Sequence, residues 1–182
     1  MTFKSKLLTP LFLLTLFSAS TAIALPEDRN QPIELEANQA KLNNETGIAE
    51  YTGNVIITQG TAKLKADRVI LYSVNNEVTR MKAFGEPAKY QQILKLGEQP
   101  THIEGKTLDL KVAEEIAEVT GNGVVYKDKD RLSAEKIIYS LKTGELNAKK
   151  NQNGSQDTTD RPIKMIFYPP KKEETPQQES NK

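Results

Sequence analysis

From Ile33 onward, apolar and polar positions alternate along this chain with a period of two. Ile33, Leu35 and Ala37 alternate with Glu34, Glu36 and Asn38, the signature of a strand with one face buried. The same rhythm returns at Leu64/Ala66, Val69/Leu71, Ile103/Gly105, Leu108/Leu110/Val112 and Leu132/Ala134, interleaved with Lys, Asp, Glu or Thr. Turn residues punctuate it at Asn43–Gly47, Gly53-Asn54, Asn75-Asn76, Gly85-Glu86-Pro87, Gly97, Gly121-Asn122-Gly123 and Thr143-Gly144. Many short alternating runs with turn signals between them predict an all-β protein.

Two repeats organise the pattern. Ile48-Ala49-Glu50-Tyr51-Thr52-Gly53-Asn54-Val55 returns 68 residues later as Ile116-Ala117-Glu118-Val119-Thr120-Gly121-Asn122-Gly123. Lys63–Asp67 likewise falls on Arg131–Glu135, and Val69-Ile70-Leu71 on Ile137-Ile138-Tyr139. A fixed period indicates one supersecondary unit stacked on another. A finer element, aliphatic-x-small-polar, begins at Leu35, Leu64, Ile103 and Leu132, at intervals of 29, 39 and 29 residues. The unit is about 30 residues, four short strands used four times. The extra ten residues of the middle interval predict an extended hairpin around Tyr90 to Pro100. Ala or Gly at the third place of each element suits close backbone approach at a narrow point of the sheet.

The ends of the chain carry different information. Lys4 and Lys6, the apolar run Leu7–Phe17 and the small-residue end Ala22-Ile23-Ala24 read as a secretory signal peptide over residues 1–24, cleaved after Ala24. The run is shorter than the ~20 apolar residues that span a bilayer. Residues 25–32 form a polar lead-in, 33–169 one β domain, and 170–182 a charged disordered tail. Asn151–Asp160 reads as a loop, and Ile163–Tyr168 as a last strand stopped by Pro169-Pro170. Removing the leader takes Lys4 and Lys6 and moves the formal charge from +1 to about −1, so nucleic acid is not an expected partner. With no cysteine, disulfides, thiolate metal sites and a Cys nucleophile are all excluded.

Candidate chemistry is sparse. His102 is the single histidine; it excludes a multi-histidine metal site and reads as an ordinary exposed side chain. Gly121-Asn122-Gly123 reads as hairpin geometry, not a phosphate loop. Glu34, Glu36 and Asp67 lie opposite the apolar face of their strands and read as solvated, and Glu114-Glu115 as a charged turn. No catalytic residues, metal or cofactor are expected. The inward positions are Ile33, Leu35, Leu64, Val69, Leu71, Tyr90, Ile103, Leu110, Val112, Leu132, Ile137 and Tyr139. They read either as a plain hydrophobic core or as a lumen. With no Trp, the interior falls to modest aliphatics, and an apolar trough suits an acyl ligand at about 0.8 kcal/mol per CH₂ removed from water.

Gln31–Ala37, Tyr51–Thr61, Ala66-Asp67-Arg68-Val69, Phe84–Tyr90 and the second Thr120-Gly121-Asn122 together resemble the OstA-like family of periplasmic lipopolysaccharide transport proteins, with Tyr51–Thr61 the most specific stretch. The resemblance runs to about Pro169. It implies a V-shaped, incompletely closed antiparallel β-jellyroll of about sixteen strands, holding the lipid A chains of lipopolysaccharide in its interior. It also implies head-to-tail self-association and joining to inner- and outer-membrane components of the transport bridge. Ile33, Tyr90, Leu110 and Val112, with Leu35 beside them, match the family's lipid-contacting positions, although Gly105–Val119 is shorter than the family pattern. An unclosed jellyroll leaves strand edges, and heterologous pairing of such edges extends into a filament. Ile33–Ala37 and Ile163–Tyr168 are the expected ends. The alternatives are a structural envelope module whose interior is only core, and a small glycan-modifying enzyme.

Overall fold

The computed structural model describes residues 27–150 and 162–169. The signal peptide, the Asn151–Asp160 loop and the tail from 170 lie outside the described residues. A 3-10 turn, Glu27–Asn30, precedes ten strands. These are β1 (Glu34–Glu36), β2 (Gln39–Asn43), β3 (Ile48–Gln59), β4 (Ala62–Val74), β5 (Glu77–Gln92), β6 (Thr101–Lys111), β7 (Ile116–Lys127), β8 (Asp130–Ser140), β9 (Leu146–Lys149) and β10 (Lys164–Ile166). All pairings are antiparallel, in the order β1-β3-β4-β5-β6-β7-β8-β10, with β2 also on β3 and β9 also on β8. The first and last strands do not pair, so the sheet is not closed.

The six strands β3 to β8 run 11–16 residues, about twice the usual length. Each is interrupted near its middle. The register slips between Thr52 and Val55, Lys65 and Arg68, Phe84 and Ala88, Glu104 and Thr107, and Thr120 and Gly123. These bulges line up across the sheet, and bulges bend strands. The sheet therefore creases along one line into two leaves. Each long strand contributes one segment to each leaf, and each short strand one segment to one leaf, giving sixteen segments from ten strands. The structure thus has ten strands where about sixteen were expected, because six of them bend through both leaves. Each ~30-residue unit supplies four consecutive segments.

The crease also corrects three expected turns. Gly53-Asn54, Gly85-Glu86-Pro87 and Gly121-Asn122 do not reverse the chain; they sit inside β3, β5 and β7. Gly53 and Asn54 have φ of 80° and 48°, and Gly121 and Asn122 of 76° and 59°, left-handed values that Gly and Asn tolerate. A turn and a bulge draw on the same residues. True reversals occur at Gly60, Asn75-Asn76 and Asp128, all at positive φ. The extra ten residues between the second and third units are absorbed by long β5 and the Ile93–Pro100 loop.

Three apolar rows cross the strands on the inner side. On the first leaf, Leu35, Ile57, Leu64, Tyr90, Ile103, Val125, Leu132 and Met165 are successive cross-strand partners. On the second leaf, next to the crease, the row is Ala40, Tyr51, Val69, Ala83, Leu108, Val119, Ile137 and Ala148. Further out lie Leu42, Ala49, Leu71, Met81, Leu110, Ala117, Tyr139 and Leu146. Strand alternation puts every second residue on this side, and the central members are buried. At the crease the inner positions shrink to Ala66, Ala88, Gly105, Gly123 and Ala134. A Cβ on Gly105 would lie 2.3 Å from Val119 Cγ2, and one on Gly123 3.0 Å from Val119 Cγ1. The third place of the fine repeat is small because the opposite leaf comes closest there.

Candidate functional site

Between the leaves, away from the crease, lies an apolar cavity of about 400 Å³. The first leaf contributes Ile57, Ala62, Leu64 and Tyr90; the second contributes Met81, Leu110, Val112 and Leu141; Ile33, Ile93 and Leu94 complete the apolar lining. The volume falls in the ~300–1,000 Å³ range of small-molecule sites. Its polar members, Asp28, Arg29, Gln59, Gln92, Lys111, Glu115 and Lys142, gather at the mouth.

The 3-10 turn straps that mouth from one leaf to the other. Buried Asp28 accepts from Thr61 N–H at 2.7 Å, Thr61 Oγ1 at 2.6 Å and Gln92 Nε2 at 3.0 Å. Gly60, at φ 58°, turns β3 into β4 against it; a Cβ there would strike Asp28 Oδ1 at 2.1 Å. Arg29 then reaches the second leaf, donating to Val112 O at 2.5 Å and pairing with Glu115 at 3.4 Å. Gln59 Nε2 donates to the carbonyls of Arg29 and Gln31. Tyr90 points into the cavity and donates from Oη to Gln92 Oε1 at 2.8 Å. Burial, then the charge of Asp28, holds its phenol well above the ordinary value. It is a neutral donor on an apolar wall. Among the described residues, no cluster of three metal-ligating side chains is present.

Of the twelve inward positions expected from sequence, Ile33, Leu64, Tyr90, Leu110 and Val112 line the cavity. Val69, Ile103 and Ile137 have no exposed surface, and Leu71, Leu132 and Tyr139 are also buried in the packed core. Leu35 is half-buried in the end row of the first leaf. The row beside the crease is therefore core, and the two rows further out hold both packed core residues and the residues that line the cavity. Ile33 lies just before β1 and is 43% exposed. Within Gly105–Val119, β6 and β7 join through the turn Val112–Glu115, which leaves Leu110 inward and Val112 in the cavity lining. Ile57 and Met81 also line the cavity and are not among the twelve, although each falls in an alternating run, Val55/Ile57 and Met81/Ala83. The strap had no local signal, because Asp28 meets partners 33 and 64 residues away.

His102 is not the ordinary exposed side chain expected. It is half-buried on the outer face of β6, stacked on Tyr126 with ring centroids 4.6 Å apart and planes 6° from parallel. Glu34, Glu36 and Asp67 are exposed, as expected.

Comparison with known proteins places this geometry. Residues 34–145 match the family described as LptA/(LptD N-terminal domain) LPS transport protein. The lipopolysaccharide export system protein LptH of Pseudomonas aeruginosa is 34% identical, over 85% of this chain and 89% of its own length. LptA of Escherichia coli K12 is 30% identical over 70% of this chain and 69% of its own. LptA of Haemophilus influenzae is 29% identical over 82% of this chain and 87% of its own. The crystal structure of LptH, the LptA-homologous periplasmic component of the lipopolysaccharide transport device of Pseudomonas aeruginosa, superposes with a TM-score of 0.72 at 32% identity. That match covers 79% of this chain and all of the other. The creased, unclosed antiparallel sheet and the matched sequence agree: this chain belongs to the LptA/LptD N-terminal-domain family of lipopolysaccharide transport proteins.

Proposed function

We propose that this protein is a periplasmic carrier that moves lipopolysaccharide by holding its acyl chains between the two leaves, without catalysing a reaction. The apolar cavity at the mouth carries this reading: it lies in line with an inward row that runs unbroken from β1 to β10. Ile33, Leu64, Tyr90, Leu110 and Val112 are the acyl-contacting side chains, and burying each CH₂ contributes about 0.8 kcal/mol. A photo-crosslinking residue at Leu110 or Tyr90 in cells should capture lipopolysaccharide. One at exposed Asp67 should not. Adducts at neither inward position would leave the structural-module reading standing.

Copies join head to tail through their open edges, and join related domains of the inner- and outer-membrane machinery in the same way. Strand alternation makes β10 of one copy antiparallel to β1 of the next. Continuing the inner row sets Met165 across from Leu35, with Phe167 near Ile33. On the outer side, Lys164 then meets Glu36, an opposite-charge pair of the stabilising kind. The second leaf agrees, since Leu146 and Ala148 of β9 continue onto Leu42 and Ala40 of β2. Ile163, Met165, Ile166, Phe167 and Tyr168 are all exposed at this edge, which a partner strand would cover. Because the chain has no cysteine, L35C with M165C should give an oxidised ladder of multimers, and L35C with K164C should not. A ladder from both pairs would overturn the register; a ladder from neither would overturn the head-to-tail joint.

A further inference from the structure

The two outer faces of the folded sheet treat charge differently. On the second leaf, basic side chains meet acids on neighbouring strands: Arg68 with Glu50, Arg80 with Asp109, and Lys136 with Glu118. On the first leaf, Lys65 stands directly across from Lys89, and Lys63 across from Gln91. Lys63 and Lys65 share a face two residues apart, about 7 Å along the strand. None of the three has an ion pair among the described residues. The adjacent acid, Glu104, is across from Lys89 but accepts from Tyr126 Oη at 3.0 Å. Like charges directly opposite each other destabilise a sheet, so this arrangement works against folding.

These side chains, with His102 and Tyr126, line one outward groove of about 190 Å³. Three ammonium groups and one carboxylate leave a local charge of about +2, which a phosphate monoester of about −1.5 to −2 neutralises. Its three free oxygens can take one lysine each. His102, stacked on Tyr126, whose ring Arg131 also contacts, forms a flat wall beside the lysines, where a sugar ring can lie. We propose that this groove binds a phosphorylated saccharide, with Lys63, Lys65 and Lys89 holding the phosphate and His102 supporting the ring. The site is on the opposite side of the sheet from the cavity and stands independently of the carrier reading.

Calorimetric titration of the whole protein at low ionic strength, with glucose 6-phosphate, inorganic phosphate and glucose, tests this. Glucose 6-phosphate should bind more tightly than inorganic phosphate, and glucose should not bind. The K65Q/K89Q variant should bind glucose 6-phosphate at least roughly tenfold more weakly. H102A should bring glucose 6-phosphate down to the level of inorganic phosphate and leave inorganic phosphate unchanged. K65Q/K89Q should melt no lower than the parent in phosphate-free buffer, since a repulsion has been removed. Unchanged binding by K65Q/K89Q, equal weakening by K41Q on the other leaf, or a clearly lower melting temperature of K65Q/K89Q would each overturn the site. Inorganic phosphate binding as tightly as glucose 6-phosphate would overturn the saccharide assignment and leave a free-anion site.

Discussion

Replacing Gly105 by alanine sets two effects of opposite sign against each other. Gly105 does not have a positive φ, so alanine adopts its backbone conformation without strain. At such positions Gly→Ala ordinarily stabilises by about 0.4–1 kcal/mol, through the unfolded chain. Against this, the added Cβ lies 2.3 Å from Val119 Cγ2. Val119 has no exposed surface and sits between Leu108 and Ile137 in its row, so it cannot swing away. Overpacking of this kind costs about 1–3 kcal/mol. The clash wins, and Gly105→Ala should destabilise by about 1–2 kcal/mol in urea denaturation, which in a protein of this size lowers the melting temperature by about 2–4 °C per kcal/mol. Val119→Ala alone removes two methyl groups and leaves a void, costing about 2 kcal/mol. In the double variant the new methyl group occupies the vacated space, so the two losses should fall short of additivity by about 1 kcal/mol or more. Additivity within about 0.5 kcal/mol, or a stabilising Gly105→Ala, would refute close approach of the leaves at the crease.

Ile33→Asp and Val112→Asp place a carboxylate on the proposed acyl path at positions that are exposed or half-buried. Both should stay folded and lose lipopolysaccharide co-purification by roughly tenfold or more, because the charge is desolvated only when lipid binds. Normal lipid content in folded variants would move the path elsewhere. Asp28→Ala strips the acceptor from Thr61 N–H, Thr61 Oγ1 and Gln92 Nε2, at a cost of about 1–3 kcal/mol. Hydrogen exchange at the Thr61 amide should accelerate, and a hydrophobic dye should gain access to the cavity; unchanged exchange would show that the strap is not held there. Asp109 is held below its ordinary pKa, first by its hydrogen bond from Arg80. A depressed carboxylate contributes stability above its unfolded pKa of about 3.9 and loses it as pH falls through the folded value. With Arg80 43% exposed, the effect is small. Asp109→Asn should cost under about 1 kcal/mol at pH 7, and the gap should close in acid. A gap that persists at pH 2 would assign the loss to packing.

Alternation made the leaves legible residue by residue. Leu64, Ile103 and Leu132 were placed inward from period two alone, and all three lie in one row. The fine repeat was legible too, because its small third residues meet a constraint that recurs at each unit: Ala66, Gly105 and Ala134 all fall at the crease. Turns and bulges were not separable. Gly53-Asn54 and Asn75-Asn76 are both pairs of turn-forming residues at positive φ, yet one bends a strand and the other reverses it. What distinguishes them is the continuation of pairing on the neighbouring strand, which is non-local. The same reason hid the strap and the stack of His102 on Tyr126, 24 residues apart in sequence.

Distance to the crease decides only part of which inward residues face cavity and which face core. Leu71 and Tyr139 share the row of Leu110 yet are buried away from the cavity. Val69 and Ile137 are in the row beside it, where the leaves pack together; Leu110 is one row out and Val112 beyond that, where they separate. Widening from the crease outward concentrates free apolar surface near the mouth, while the crease residues fix the angle. The open edges fit the proposed head-to-tail joint. An inward row that ended on a capped edge would close the trough at each copy, whereas Leu35 and Met165 leave the row unfinished at both ends. The features that look least stable in isolation, exposed β10 above all, are the ones that the proposed head-to-tail joint would cover.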